Sequence, residues 1–268
     1  MIKILLINYP SFEPLLVTDS CNRAIDLVFV IDSSESINNA NPLNWQQLLE
    51  FVNKIVSMRT IGSNDTRVGV VRYSTDVVSW IYLNSYDNKD DLMKAIARIP
   101  YDGKSTNIAG GILQMRSVQF TAAHGDRPGV PNVAIVVTDG VSIIRPECTI
   151  PEAEQAHKQG IAMFSIGVTS KVNSAEVIGI SSPPHTPNTY VFFAQDFSNV
   201  DNIATKIFNA TCNARPPPGS AVSPTPATPC EYVNIHYFLA PQQKVSSHAA
   251  QYPDCLNKHV CTPSNRMA

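Results

Sequence analysis

Oxygen-bearing side chains occur at alternate positions directly after an apolar stretch of the chain. Asp32, Ser34 and Ser36 offer one carboxylate and two hydroxyls. These are hard oxygen ligands of low net charge, and Mg²⁺ binds six such oxygens at about 2.0–2.1 Å while keeping several waters. A second carboxylate, Asp139, occurs far away in the sequence, and a third loop at 103–107 places a hydroxyl before a predicted helix. A fold that brings these three loops together could hold a divalent metal ion.

The intervening sequence alternates between strand and helix patterns. Residues 25–31, apolar except for Asp26, and residues 133–137 are typical of strands that are buried on both faces. Further strands are predicted twice within 68–83 and once each at 161–168 and 190–194. Asn41 and Pro42 form an N-cap followed by a proline that is suited to the first helical position. Helices are predicted at 41–56, 90–99, 108–120, 151–159 and 200–208.

This alternation predicts an α/β fold with a doubly wound, mostly parallel sheet and helices on both faces. In such an open sheet, ligands bind outside the carboxyl ends of the strands. Asp32 and Asp139 both follow predicted buried strands, and Thr106 precedes the predicted helix at 108–120. The candidate ligands therefore occupy loops that suit a binding site.

Length, net charge and apolar run length limit the number of domains and argue against nucleic-acid-binding and membrane-spanning proteins. The 268 residues suggest one large domain, or a medium domain with an extra module. The formal net charge of −2 argues against non-specific nucleic-acid binding, which needs a basic surface. No apolar run reaches the roughly 18 residues of a membrane-spanning helix, so no membrane span is predicted.

Enzyme motifs are missing from the sequence. It contains no H-E-x-x-H zinc motif, no G-x-S-x-G nucleophile elbow and no phosphate-binding G-x-x-x-x-G-K-[ST] loop. The D-x-D pairing of a phosphoryl-transfer aspartate is also missing at Asp32. His157, on a predicted helix, is interpreted as a solvated polar residue. We therefore predict that the protein is not an enzyme.

The six cysteines favour an oxidising compartment. No pair is spaced C-x-x-C, which argues against a zinc ribbon or a thioredoxin-type site. Three cysteines lie in the last 40 residues, a density typical of disulfide-stapled extracellular segments. Glycosylation sequons at Asn64 and Asn209 fit a secreted glycoprotein.

The N-terminal segment leaves two interpretations open. It begins like a signal peptide, but Asn8 and Pro10 interrupt the apolar part and no small-residue cleavage site follows. Either the true start is missing or the segment is an atypical leader. Residues rich in Pro, Ser and Thr mark a second boundary near the C-terminus. The predicted organisation is an N-terminal segment at 1–20, a domain at 21–213, a Pro-rich linker at 214–229 and a cysteine-containing tail at 230–268.

Four segments carry a recognisable pattern. They read Asp-Leu-Val-Phe-Val-Ile-Asp-Ser-Ser-Glu-Ser at 26–36, Arg-Val-Gly-Val-Val-Arg-Tyr-Ser at 67–74, Ser-Thr-Asn-Ile-Ala at 105–109 and Val-Thr-Asp-Gly at 137–140. Together they resemble the von Willebrand factor A-type domain, in the matrilin and collagen-associated branch of extracellular matrix proteins. The resemblance extends over most of the chain.

This resemblance implies a metal-ion-dependent adhesion site. Ser34 and Ser36 would bind the ion directly, and Asp32, Thr106 and Asp139 would bind it directly or through water. An open coordination position would take a carboxylate from a partner protein. Family members often have Thr-x-Thr-Gly in the third loop, whereas this chain reads Thr-Asn-Ile-Ala and keeps only the first threonine.

The resemblance also implies a disulfide between Cys21 and Cys212, because such a pair commonly closes the domain in this family. Chain-entropy estimates predict that a bridge around so long a loop stabilises the fold by several kcal/mol. Cys148 has no obvious partner in the sequence. It is interpreted as a small buried apolar residue, with a free thiol near the metal as the alternative.

The tail resembles the front half of a peritrophin-type chitin-binding module. In that family's pairing Cys230 would join Cys261, which leaves Cys255 without a partner. Aromatic residues that could stack on sugar rings are Tyr232, Tyr237, Phe238 and Tyr252. The alternative is a disordered tail, since the module's later cysteines are missing and so short a domain depends on its disulfides. The order of the two modules resembles that of shell-matrix proteins of the Pif type.

These observations predict a secreted adhesion module of the extracellular matrix. Its cofactor would be Mg²⁺, or else Mn²⁺ or Ca²⁺, and its partners would be collagen-like or other matrix proteins that present an acidic side chain. The alternative is a structural matrix protein with an unused metal site, whose binding depends on chitin recognition by the tail.

Overall fold

A computed structural model describes residues 23–212, apart from 186, together with residue 214. Within these residues six strands form one sheet: β1 Asp26–Asp32, β2 Arg67–Tyr73, β3 Val77–Ile81, β4 Asn132–Thr138, β5 Ala162–Val168 and β6 Val191–Ala194. Their order across the sheet is β3-β2-β1-β4-β5-β6. All neighbouring pairs are parallel except β2 and β3. The predicted mostly parallel sheet is confirmed.

The described part of the chain also contains α-helices on both faces of the sheet. They are α1 Glu35–Asn39, α2 Asn44–Ser57, α3 Lys89–Ile96, α4 Ile108–Gln114, α5 Thr149–Lys158, α6 Ser174–Ile180 and α7 Asp201–Cys212. A π-helical turn, Met115–Gln119, extends α4. None of the helices in these residues is both long and apolar enough to cross a membrane.

Strand β1 lies at the centre of two hydrophobic layers, and all seven of its residues are buried. Leu27, Phe29 and Ile31 pack with α2, α3 and α7 on one face, whereas Val28 and Val30 pack with α4, α5 and α6 on the other. The alternation follows from the two-residue period of a strand. Burial on both faces holds the end of β1, where Asp32 lies, in a fixed position.

Asp26, the one charged residue within β1 before Asp32, is held by Arg127. The guanidinium donates from Nε and Nη2 to Oδ1 of Asp26 at 2.9 and 2.7 Å, and the backbone amide of Arg127 donates to Oδ2 at 2.8 Å. The remaining guanidinium bonds go to the carbonyls of Ile25, Ser63 and Asp65. This ion pair ties loops together at the end of the sheet where the strands begin.

Helix boundaries differ from the predicted ones where local hydrogen bonds compete. Asn41 is not the N-cap of α2: its side-chain oxygen accepts from the amide of Leu43, and its carbonyl accepts from Asn44, so Asn41 closes a turn. Helix α2 then begins at Asn44. The predictions also missed α1 and α6, which have five and seven residues and are too short to show a clear helical period.

Candidate metal centre

The loop after β1 folds around the carboxylate of Asp32, which is fully buried. The backbone amide of Ser34 donates to Oδ1 of Asp32 at 2.8 Å. The hydroxyl of Thr138 donates to Oδ2, also at 2.8 Å. Because Thr138 ends β4, this bond joins the carboxyl ends of two adjacent parallel strands.

Ser36 connects this loop to the loop after β4. Its hydroxyl donates to Oδ1 of Asp139 at 2.6 Å and lies 3.0 Å from Oγ of Ser34. A Cβ atom at Gly140 would lie only 3.4 Å from the same hydroxyl oxygen. The structure therefore brings Asp32, Ser34, Ser36 and Asp139 into one hydrogen-bonded cluster.

Thr106 is buried between the loops that carry the other candidates. Its carbonyl accepts from the amides of Ile143 and Ile144 at 3.0 and 2.9 Å, which ties it to the loop after β4. Two residues earlier, Lys104 forms a parallel bridge with Ser34. The Thr106 hydroxyl forms no hydrogen bond to the other four candidates among the described residues, so the backbone rather than the side chain holds it beside them.

Sequence reasoning missed two residues that position the site. Ser33, between the candidate ligands, accepts from the amide of Asp102 at Oγ and from that of Gly103 at its carbonyl, both at 2.8 Å. The hydroxyl of Tyr101 donates to the carbonyl of Ser34 at 2.9 Å. These bonds fix the third loop against the first. No sequence signal marks them, because each involves a backbone group of a distant loop.

Burial dominates the electrostatics of the two carboxylates. Burial raises the pKa of Asp32 to about 6, helped by the negative charge of Asp139 and opposed by hydrogen bonds from Ser34 and Thr138. Burial also raises the pKa of Asp139, whereas the Ser36 hydrogen bond and the positive charge of Lys171 lower it. Neither carboxylate forms an ion pair within the described residues. Two buried acids without a basic partner favour a cation as their counter-charge.

The donor atoms fit a hard divalent ion. Octahedral bonds of about 2.0–2.1 Å place neighbouring ligand oxygens about 2.8–3.0 Å apart. The Oγ atoms of Ser34 and Ser36 are 3.0 Å apart, and Ser36 Oγ is 2.6 Å from the nearer oxygen of Asp139. No group of three or more His, Cys, Asp or Glu side chains that could hold a metal ion occurs in the described residues. The cluster instead combines hydroxyls with two carboxylates.

The third loop, which departs from the family's Thr-x-Thr-Gly pattern, is held by a helix cap. Asn107 is the N-cap of α4, and its side-chain oxygen accepts from the amide of Gly110 at 2.9 Å. A Cβ atom at Gly110 would lie 2.7–2.8 Å from the Asn107 side chain, closer than such contacts allow. The Asn-Ile-Ala-Gly sequence thus caps the helix that directly follows Thr106.

Two interpretations of single residues need correction. Cys148 is buried but disulfide-bonded, so it is neither an isolated apolar residue nor a free thiol. Its partner could not be inferred from the sequence because spacing alone carries no information about distant pairs. His157 is half-buried rather than solvated: one ring nitrogen lies 3.2 Å from the carbonyl oxygen of Ile180, and burial lowers the pKa of the imidazole.

Of the other predicted sites, some lie within the described residues and some lie outside them. Asn64 and Asn209 are exposed, whereas Thr66 and Thr211, the threonines of the same two sequons, are buried. Cys212 is disulfide-bonded, whereas the proposed partner Cys21 lies outside the described residues. Also outside are the remaining tail cysteines and the candidate chitin-binding aromatics: Cys230, Cys255, Cys261, Tyr232, Tyr237, Phe238 and Tyr252.

A family model provides the decisive comparison. The model of the von Willebrand factor type A domain matches residues 26–206, which cover every strand and the whole metal cluster. The chain belongs to the von Willebrand factor type A domain family. The matched residues lie inside the predicted domain at 21–213, whose own boundaries stay a prediction.

Curated relatives of this family include matrilins and a collagen. The chain is 33% identical to matrilin-1 of Gallus gallus over 244 residues, which are 91% of this chain and 45% of that protein. It is 36% identical to the collagen alpha-1(XXI) chain of Xenopus laevis over 205 residues, 75% of this chain and 20% of that one. The chain thus spans less than half the length of either relative.

A solved structure of a matrix protein shares the fold. It is proximal thread matrix protein 1 of the mussel byssus with a zinc-occupied MIDAS motif. The TM-score is 0.66 with 28% sequence identity, and the match covers 72% of this chain and 47% of that one.

Proposed function

We propose that the chain is an extracellular matrix adhesion module that binds protein partners through a divalent metal ion. The ion would be held by Asp32, Ser34, Ser36, Thr106 and Asp139. The observation that carries the proposal is the hydrogen-bonded cluster that joins Ser36 to Asp139 and contains two buried carboxylates, neither of which forms an ion pair within the described residues.

Each residue of the cluster has a separate part in this function. Asp32 and Asp139 supply the negative charge that retains a cation at neutral pH. Ser34 and Ser36 supply neutral oxygens, so the site adds no negative charge beyond its two carboxylates that would repel an acidic partner. Thr106 adds a hydroxyl from a third loop. When bound, the ion supplies a Lewis-acidic position that accepts a carboxylate oxygen of the partner, which Asp32 and Asp139 alone would repel.

The donor chemistry favours Mg²⁺ or Mn²⁺ over Ca²⁺. The site offers five side chains, of which only two are charged. Ca²⁺ takes six to eight oxygens and often several carboxylates, whereas Mg²⁺ takes six and keeps several waters. The zinc in the MIDAS motif of the mussel protein supports the binding of a divalent ion at this site. We therefore propose Mg²⁺ as the cofactor, with Mn²⁺ as a functional substitute.

The compartment and partners follow from the relatives and the cysteines. Matrilin and collagen relatives support an extracellular matrix location, and disulfide-bonded Cys148 and Cys212 fit secretion into an oxidising environment. The partner is proposed to be a collagen-like or other matrix protein that presents an acidic side chain. Metal-dependent adhesion, without turnover of a substrate, is the whole of the proposed activity.

Retention on immobilised collagen tests the proposal. The oxidised protein should bind in Mg²⁺ and elute in EDTA, and Asp32→Ala and Asp139→Ala should abolish retention while circular dichroism stays unchanged. Asp76→Asn is the matched control, because Asp76 is an exposed carboxylate that pairs with Lys104 at the neighbouring loop. Retention of wild type that ignores EDTA, or of both alanine variants, would contradict metal-dependent adhesion.

Chitin beads provide the second arm of the experiment. The alternative function, a structural matrix protein with chitin recognition in the tail, rests on the cysteines and aromatic residues at 230–268. It requires retention on chitin that is insensitive to EDTA and to Asp139→Ala. Such a result would assign binding to the tail and leave the domain as a scaffold.

A further inference from the structure

The loop after Asp139 exposes two large aliphatic side chains beside the metal cluster. Val141 is 44% exposed and Ile143 is 66% exposed, whereas Ser142 between them is only 4% exposed. Ile143 is the most exposed large hydrophobic residue of the described part of the chain. Single exposed aliphatic residues are common on protein surfaces, so the significance of this pair depends on how the loop is held.

Hydrogen bonds hold this loop from both sides. The amide of Ser142 donates to Oε2 of Glu176 at 3.2 Å. The amide of Ile143 donates to the carbonyl of Thr106 at 3.0 Å, and the Thr169 hydroxyl donates to the carbonyl of Asp139 at 3.2 Å. Ser142 is buried on this hydrogen-bonded backbone, whereas both of its neighbours are exposed to solvent. The fold thus keeps two aliphatic side chains exposed next to the candidate ligands. Val141 is two positions after Asp139, and Ile143 is hydrogen-bonded to Thr106.

We propose that Val141 and Ile143 form an apolar lip that selects the partner of the metal site. The partner is an acidic segment of a matrix protein that carries a large aliphatic or aromatic side chain within two residues of its carboxylate. This inference rests on the proposed function, because the carboxylate must reach the ion. In an extended segment, side chains two positions apart leave the same face about 6.4–6.8 Å apart, which suits simultaneous contact with the ion and with the adjoining lip.

Charge around the site agrees with an acidic partner. The two carboxylates of the cluster balance the two charges of the ion, and the lip itself is uncharged. Lys171 is near enough for its positive charge to lower the pKa of Asp139, so the same side of the site carries a basic group. Glu176, which accepts from the Ser142 amide, adds a negative group behind the lip, so the partner carboxylate is attracted by the ion and the apolar contact supplies the selectivity.

Two synthetic peptides immobilised on a sensor surface test the lip. Both contain one Glu, and they differ only in having Leu or Ser two positions away. In Mg²⁺, wild-type protein should prefer the Leu peptide about tenfold, the effect of burying one aliphatic side chain. Ile143→Ser and Val141→Ser should each remove most of that preference and keep the thermal stabilisation by Mg²⁺. Trp80→Ser, which removes a 43% exposed side chain on β3, should keep the preference.

The outcomes separate the lip from the metal mechanism. Equal binding of the two peptides to wild type, or an unchanged preference in both lip variants, overturns the lip. The lack of any binding of either peptide to wild type overturns it as well. Binding that survives Asp139→Ala overturns the proposed function instead. The lip variants remain interpretable because both side chains lie outside the core, and circular dichroism checks their fold.

Discussion

The Oγ atom of Ser36 lies 2.6 Å from Oδ1 of Asp139, although the two residues are 103 positions apart in the sequence. This bond crosses from the loop after β1 to the loop after β4, and these strands are neighbours in the sheet. The bond holds together two oxygens that would both bind the ion in the proposed site. Because these oxygens come from two different loops, binding of an ion would also stabilise the folded protein.

Divalent ions should stabilise the folded protein. At a hundredfold excess of Mg²⁺ over its dissociation constant, linkage adds about 2.7 kcal/mol to the free energy of unfolding. Differential scanning calorimetry should show a rise in Tm with Mg²⁺ or Mn²⁺ that is absent from Asp32→Asn. Asp76→Asn, in the adjacent loop, should retain the rise. A rise of equal size in Asp32→Asn would place the ion elsewhere.

The metal-free protein should lose stability as pH rises. Asp32 has a pKa of about 6 in the folded protein, whereas an unperturbed aspartate has a pKa of 3.8, so between these values the folded state holds a proton that the unfolded state has released. Its contribution to stability is therefore complete below the lower value and is lost as pH rises through about 6. The interval corresponds to roughly 3 kcal/mol.

Urea unfolding in chelator-treated buffers, from about pH 4 to about pH 7, measures this effect. The relevant quantity is the difference between wild type and Asp32→Asn, because burial also raises the pKa of Asp26, Asp126 and Asp139. Wild type should lose stability relative to the variant as pH increases. A difference that grows in the opposite direction would mean that Asp32 is stabilised in its charged form.

Arg127→Ala should destabilise the fold strongly. The substitution leaves the fully buried carboxylate of Asp26 without its ion pair, and loss of one partner of a buried pair costs about 3–5 kcal/mol. Chemical denaturation at neutral pH measures the loss, and Asp26→Asn combined with Arg127→Ala should recover part of it. Mg²⁺ should still raise Tm in Arg127→Ala, because the pair lies at the opposite end of β1 from the cluster. Additive effects of the two substitutions would argue against the pair.

Loss of the Asn107 cap should weaken both the fold and the third loop. Asn107→Ala removes an N-cap hydrogen bond, which typically costs about 1 kcal/mol. Gly110→Ala should have a similar effect, because its added Cβ would displace the Asn107 side chain. Isothermal titration should then show weaker Mg²⁺ binding in both variants, since Thr106 precedes the cap. Asn107→Asp, which can still accept from the Gly110 amide, serves as the control; a loss of similar size in Asn107→Asp would speak against capping.

Much of the site was predictable because its ligands follow regular elements. The apolar residues before Asp32 and before Asp139 indicate buried strands, and parallel strands deliver their following loops to one edge of the sheet. The proximity of Ser36 and Asp139 follows from the adjacency of β1 and β4, which strand patterns alone do not specify. The family resemblance supplied the set of residues that come together, without the order of the strands.

The remaining features depend on contacts that no local pattern records. Ser33 and Tyr101 act through backbone groups of another loop, so their residue types carry no distinctive spacing. His157 has the sequence context of a surface residue, and only the packing of α5 against α6 buries it. The predicted start of α2 was wrong because an asparagine suits a turn as well as an N-cap, and Asn41 forms a turn in the structure.

The position of β1 has a mechanical consequence. The ligand loop begins where this strand ends, and residue 23 lies only three residues before the strand begins. A pull on Asp32, Ser34 or Ser36 against residue 23 would therefore pass through the seven residues of one central strand. Hydrogen bonds to β2 on one side and to β4 on the other lie across that load, so they resist it together in shear. Because the strand is already extended, a small force along it would produce little elongation until these hydrogen bonds break.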